Sequence, residues 1–213
     1  MKNKIMILFL LFLKLNGSAQ KGIFRRGTIS PRQYTENIVF KIVNHLIYVT
    51  VEIKGKNYVF LVDTGAPSTI RKSLDADFIF LTKEPIMDAM RNVQEVEYGI
   101  VPQVKMSSIT FENFTFMRED FTLFDELGID GIIGANITSK SAWDFDLLHH
   151  RITISSGLSP TLLKTRHFSS LKIKKTPTGT PTIALTYFDK IKEEGIYFDT
   201  GYTGLFYLNS DLF

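Results

Sequence analysis

The chain has 213 residues, enough for one or two domains and a sizeable core, and its 44% apolar content is ordinary for a globular protein. It has no cysteine, which excludes disulfides, thiolate catalysis, zinc-finger sites and a lipid-anchored N-terminal cysteine. The formal charge of +3 comes from Lys2, Lys4 and Lys14 in an acid-free opening; the 25 basic residues less those three equal the 22 acidic ones, so composition gives no case for nucleic acid.

The opening reads as a secretory signal peptide: a basic head "MKNK", an apolar run "IMILFLLFL" (5–13), and the small residues Gly17 and Ala19 two apart. The run before Lys14 is less than half of the roughly 20 residues needed to cross a bilayer, which favours a leader cleaved after about residue 19 over a membrane anchor. A secreted or periplasmic location, with no membrane association after cleavage, is the expectation. Residues 20–37 then form an N-terminal extension.

From Ile38 the chain predicts consecutive strands. "IVFKIV" is followed by the alternating "HLIYVTVEI", a turn-forming "KGKN" (54–57), and "YVFLV" running into Asp63. From Ile70 to about Glu97 a less regular, charged stretch is expected, with "IMDAMRNVQEV" patterned as a helix. "IVPQVKMSSITF" and "FTFMREDF" predict two strands joined through "ENF". "GIDGIIGANI" (128–137) is an intensely apolar run between glycines, and "ANITSKSAW" predicts a short helix capped by Asn136 or Thr138. "WDFDLLHHRITIS" predicts a closing hairpin. Residues 157–181, rich in Ser, Thr, Pro and Lys, read as a connector. "TIALTYF" (182–188), a polar "DKIKEEG" and "IYF" then lead into Asp199.

The order strand, turn, strand, Asp-Thr-Gly therefore occurs twice, with the two aspartates 136 positions apart. At ordinary residue usage a given tripeptide is expected on the order of 0.05 times in a chain this long. A single copy reads as a strand-closing turn, because Asp bonds its own backbone and Gly accepts positive φ. Two copies in the same context call for shared chemistry.

On "LVDTGAPSTI", "YFDTGYTG" and the apolar-apolar-Gly element "GIIGANI", the chain resembles the aspartic proteases in which two lobes each donate one catalytic Asp. "DTGA" looks closer to retroviral-type lobes than to the pepsin form. The resemblance implies an all-β fold. An aspartic-protease-like barrel lobe over 38–156 would carry a ψ-shaped strand crossing built on Ile132, Ile133 and Gly134, 71 residues after Asp63. One short helix would follow Gly134, and the start of a second, similar lobe would occupy 182–213.

The resemblance also implies an aspartic endopeptidase acting on protein or peptide substrates without metal or other cofactor. Asp63 and Asp199 would be its catalytic pair. Thr64 and Thr200 would bond the opposite loop, while Gly65 and Gly201 would permit the tight turns. A flap is implied near "EVEYGIV", with Gly99 at or near its tip and Tyr98 beside it. Two departures stand out: Tyr202 replaces a small or hydroxyl residue, and no second apolar-apolar-Gly element precedes Phe213. A fragment, or a degenerate second lobe, is the corresponding expectation. Two alternatives stay open: an inactive protease-like binding module, or a single-lobe protease active as a homodimer if the second lobe is non-functional.

The chemistry explains the residue types. Two carboxylates held close together share one proton and titrate as a pair. The ionised member takes a proton from water and the protonated member bonds the scissile carbonyl oxygen. The Ala66 side chain cannot donate to Asp63, which favours its ionised form less and predicts a mildly acidic optimum.

Other polar residues read as structural. His149 and His150 are adjacent and suit a hairpin cap better than joint metal ligation. Asp144 and Asp146 share one strand face among aromatics, Asp130 fixes a turn, and Trp143 packs. Asn113 and Asn136 lie in N-x-Thr sequons. No Ser-His-Asp set, P-loop or dinucleotide fingerprint is present.

Overall fold

The computed structural model describes residues 20–87, 93–157, 171–187 and 191–203. The first half comprises α1 (Gln20–Ile23), β1 (Thr28–Ser30), β2 (Thr35–Val39), β3 (Lys41–Val43), β4 (Leu46–Ile53), β5 (Lys56–Asp63), β6 (Thr69–Ile70), β7 (Ile79–Met87) and β8 (Val93–Met106). It continues with β9 (Ile109–Arg118), α2 (Thr122–Leu127), β10 (Gly131–Gly134), α3 (Ala135–Thr138), β11 (Ala142–Asp146) and β12 (Arg151–Ser155). After the connector come β13 (Lys174–Lys175), β14 (Pro181–Tyr187) and β15 (Ile191–Tyr197). The fold is all-β with short helices. The expected leader lies outside the described residues, among which no helix is long and apolar enough to cross a membrane.

The main sheet runs β1-β9-β6-β10-β5-β4-β8-β7, with β3 added beside β4 and β8 also pairing β9. Two tight turns set its register. Lys54 and Gly55 (φ 52° and 74°) join β4 to β5, and Asn44 and His45 (φ 51° and 68°) join β3 to β4. Paired left-handed residues match the right-handed twist of the flanking strands, so these two-residue loops do not splay them. Phe60, Val62, Ile70, Phe111, Phe114, Phe116 and Ile133 form the heart of the core. Two smaller sheets flank it, β11-β12-β2 and β13-β14-β15.

β10 places the site. It runs parallel to β5, with Ile132 opposite Leu61, Ile133 opposite Val62 and Gly134 opposite Asp63. It also runs antiparallel to β6, with Ile132 opposite Thr69. A strand inserted between the two arms of the Asp63 loop is the ψ-shaped crossing. Its glycine is sterically required: a Cβ on Gly134 would lie 2.3 Å from the backbone of Pro67 and Ser68.

Several local expectations give way to long-range pairing. "IMDAMRNVQEV" is not helical where it is described: Ile86 and Met87 end β7, and Val93–Val96 begin β8, with Met87 opposite Val93. Ile86 and Val96 are buried on this hairpin, and cross-strand burial overrides a helical pattern. The turn between β8 and β9 falls at Ser107–Ser108, with Ser107 at φ 56°, rather than at "ENF". β9 runs straight through that tripeptide, with Asn113 at φ 56°.

Among the helices, α2 is additional to the one expected. It buries Phe124 and ends at left-handed Gly128, whose N–H donates to the Asp125 carbonyl while Ile129 N–H donates to the Phe124 carbonyl. α3 starts after Gly134, so Asn136 and Thr138 lie inside it rather than capping it. The end of the connector is also ordered, since Lys174 and Lys175 pair with β14.

Candidate active site

Both Asp-Thr-Gly loops hang from the same three-strand device. β3, β4 and β5 pair in succession and deliver Asp63; β13, β14 and β15 pair in succession and deliver Asp199. The repeat is thus one strand deeper than the strand–turn–strand read from the sequence.

The two loops meet face to face. Thr64 N–H donates to Thr200 Oγ1 at 3.1 Å, and Thr200 N–H donates to Thr64 Oγ1 at 3.0 Å. Each hydroxyl then donates across the interface, Thr64 to the Phe198 carbonyl (2.7 Å) and Thr200 to the Val62 carbonyl (2.9 Å). Four hydrogen bonds related by a local two-fold therefore tie the loops together.

The carboxylates are held from beneath. Asp63 Oδ1 accepts from the N–H groups of Gly65 (2.8 Å) and Ala66 (3.1 Å), and Asp199 Oδ1 accepts from Gly201 N–H (2.8 Å). The glycines leave room for the opposite acid: a Cβ on Gly65 would lie 2.4 Å from Asp199 Cγ, and one on Gly201 would lie 2.4 Å from Asp63 Cγ. The sequence pattern therefore brings together Asp63, Thr64, Gly65, Ala66, Asp199, Thr200 and Gly201, over a floor made by Ile132, Ile133 and Gly134.

Electrostatics follow from this packing. Asp63 is 7% exposed, and burial pushes its carboxyl well above the usual range. The charge of Asp199 and a hydrogen bond between the two carboxyls add to the rise, and the Gly65 and Ala66 N–H groups oppose it. Asp199 is also raised by burial, against the hydrogen bond from Asp63 and the N–H groups of Gly201, Gly65 and Tyr202. The pair therefore keeps a shared proton at a higher pH than two isolated carboxyls would. Tyr202 contributes through its backbone, so its bulky side chain costs the loop no donor. Among the described residues no group of three or more metal-ligating side chains is gathered.

Tyr98 and Gly99 require correction, because they are not at a hairpin tip. Both lie within β8, where Tyr98 pairs with Thr82 and Met117, and Gly99 with Phe80 and Phe116. Tyr98 is 1% exposed and packs edge-on against Phe24, ring centroids 5.6 Å apart. Burial raises the pKa of its hydroxyl, which has no hydrogen-bond partner among the described residues. A Cβ on Gly99 would lie 2.5 Å from the Phe78 ring. Residues 88–92, between β7 and β8 in the sequence, lie outside the described residues.

Ser68 and Asn136 brace the crossing beneath Asp63, a part that sequence reasoning missed. Asn136, buried, accepts from Ser68 N–H (2.8 Å) and donates to the Thr115 carbonyl (2.8 Å), while Ser68 Oγ accepts from Gly134 N–H (2.9 Å). They stitch the ψ crossing, and the available signal was two polar residues inside apolar runs. With both ends of its amide engaged, Asn136 is not a glycan acceptor on the folded surface, whereas Asn113 is exposed. Asp130 Oδ2 accepts from Val59 N–H (2.9 Å). Asp146 accepts from His149 N–H in the β11–β12 turn, and His150 stacks on Phe40. Trp143 stacks on Phe145 and donates to Ser141 Oγ.

Residues 49–137 match the family model of aspartyl proteases. Among solved structures, the chain is similar to a retropepsin-like aspartic protease from Rickettsia conorii, at 12% identity and a TM-score of 0.40, over 61% of this chain and 94% of that one. No curated protein sequence matches. The matched segment, less than half of the chain, holds Asp63, its Thr and Gly neighbours and the whole ψ crossing.

Proposed function

We propose that the protein is an exported aspartic endopeptidase that hydrolyses peptide bonds with Asp63 and Asp199 as its dyad. One observation carries the reading: two Asp-Thr-Gly loops of one chain brace each other and bring the buried Asp63 and the half-buried Asp199 together, both with raised pKa values.

The mechanism follows from a pair that holds one proton. The ionised carboxylate takes a proton from a water, whose oxygen forms a bond to the scissile carbonyl carbon. The protonated carboxyl gives its proton to the carbonyl oxygen as charge develops there. The C–N bond then breaks, the amine leaves with the proton gained from water, and the pair returns to its starting state. Thr64 and Thr200 fix the distance between the acids, and Gly65 and Gly201 let them approach.

The place opposite Asp63 that a second copy would fill is taken by this chain's own Asp199 loop, which favours action as a monomer. Export rests on the leader-like residues 1–19. The test is cleavage of a mixed peptide library from about pH 3 to pH 8, read by mass spectrometry, with Asp63→Asn as control. Cleavage with a mildly acidic optimum, lost in the variant, is expected. A folded protein that cuts nothing would favour the binding-module reading.

A further inference from the structure

A turn from the second half of the chain reaches the base of Asp63. Thr176–Thr180 closes on itself: Thr176 N–H donates to the Thr180 carbonyl and Gly179 N–H to the Thr176 carbonyl, each at 3.0 Å. It is docked rather than free. Gly179, at φ +97°, passes so near α3 that a Cβ would lie 2.8 Å from the Ala135 carbonyl oxygen. Lys175 Nζ donates to the Ser139 carbonyl at 2.8 Å, and Thr180 is 2% exposed.

The three threonine hydroxyls of this turn stand in line. Thr176 and Thr178 are 2.9 Å apart, Thr178 and Thr180 3.3 Å, and Thr180 Oγ1 donates to the Gly65 carbonyl at 3.5 Å, the longest link. Thr176 Oγ1 accepts from Thr180 N–H at 3.0 Å, which leaves its own proton for Thr178. One proton per hydroxyl thus lets all three point toward Gly65. The Gly65 carbonyl is the far end of the peptide whose N–H, on Ala66, donates to Asp63 Oδ1. Hydrogen bonds in series polarise one another, and both ends of this peptide are held.

We propose that Thr180 is a positioning residue for Asp63: its hydroxyl orients and polarises the Gly65–Ala66 peptide, whose N–H stabilises the ionised carboxylate, with Thr178 and Thr176 as outer supports. Ala66 has no side-chain donor, so this peptide supplies what a hydroxyl in its place would. The part of the inference that concerns rate rests on the endopeptidase reading; the part that concerns protonation does not. Asp199 is the titratable group that acts on Asp63, and the other groups that act on it are backbone N–H donors.

The experiment compares Thr180→Val with Thr180→Ser in the full chain. For peptide cleavage by Thr180→Val, kcat is expected to fall about three- to tenfold with KM unchanged, the scale of one lost hydrogen bond to a neutral carbonyl. The acid limb of its pH profile should move to higher pH, because ionised Asp63 is less stabilised. Thr180→Ser should keep both. A second readout needs no activity: the pH at which melting temperature diverges between each variant and the same variant carrying Asp63→Asn should also move upward for Thr180→Val alone. Should Thr180→Val not fold, Thr178→Val breaks the next link, and a smaller shift in the same direction is expected. Unshifted acid limb and melting divergence in the valine variant, or a serine variant as impaired as valine, would overturn the proposal. A wild-type protein that cuts no peptide fails the endopeptidase reading instead, and the melting divergence then decides alone.

Discussion

Thr64 and Thr200 exchange hydrogen bonds in both directions, each N–H accepted by the other's hydroxyl at 3.1 and 3.0 Å. Each hydroxyl also donates to a carbonyl on the opposite strand, so one side chain serves as acceptor and donor at once. No other residue pair joins the two halves of the chain so symmetrically among the described contacts. Replacing either threonine with valine takes the partner from one N–H and one carbonyl at this partly buried seam, which should cost about 1–3 kcal/mol of unfolding free energy in a urea titration. The double variant should cost less than the sum, because the two changes remove shared bonds. Full additivity would mean that the two loops do not brace each other.

The close approach of each glycine to the opposite carboxyl sets a second expectation. A methyl on Gly65 or Gly201 would occupy the space of the carboxyl across the interface. Gly65→Ala and Gly201→Ala should therefore lower kcat by roughly a hundredfold or more, since small displacements of reacting groups are costly. Circular dichroism should show that the fold persists. An alanine variant with wild-type kcat would show that the two acids are not in contact.

Stability should depend on pH through the same pair. Both carboxyls have folded-state pKa values raised above the ordinary carboxylate range by burial. Their contribution to stability is fully present below the unfolded pKa of about 4 and is lost as pH rises through the raised folded values. Asp63→Asn removes the buried charge, so its melting temperature should exceed that of wild type at neutral pH, and the gap should close toward pH 4. A variant less stable than wild type at neutral pH would mean that Asp63 is stabilised as an anion.

The site was legible where its determinants are local. The repeated Asp-Thr-Gly marked both acids, alternation and the Lys54-Gly55 turn marked the β4–β5 hairpin, and "GIIG" marked the crossing strand. What stayed hidden depends on partners distant in sequence. Residues 86–96 pattern like a helix, yet Ile86, Val96 and Tyr98 are drawn into strands by a pocket that Phe24 and Met117 help to close. That same burial takes Tyr98 and Gly99 away from any turn. Asn136 looks like a cap or a glycan acceptor until Ser68 and Thr115 are brought beside it. Thr180 reads as part of a polar connector because its meaning lies 115 residues away, at Gly65.

In the proposed enzyme one chain supplies both acids of one dyad. Complementation tests it most directly. Asp63→Asn and Asp199→Asn would be purified separately, assayed for peptide cleavage alone, and then mixed at equal concentration after joint refolding. Wild type is expected to cleave as a monomer in sedimentation, and neither variant nor the mixture should show activity, since every molecule of the mixture carries one damaged dyad. Activity restored by mixing would contradict this expectation, because a working pair would then have formed between Asp199 of one chain and Asp63 of another.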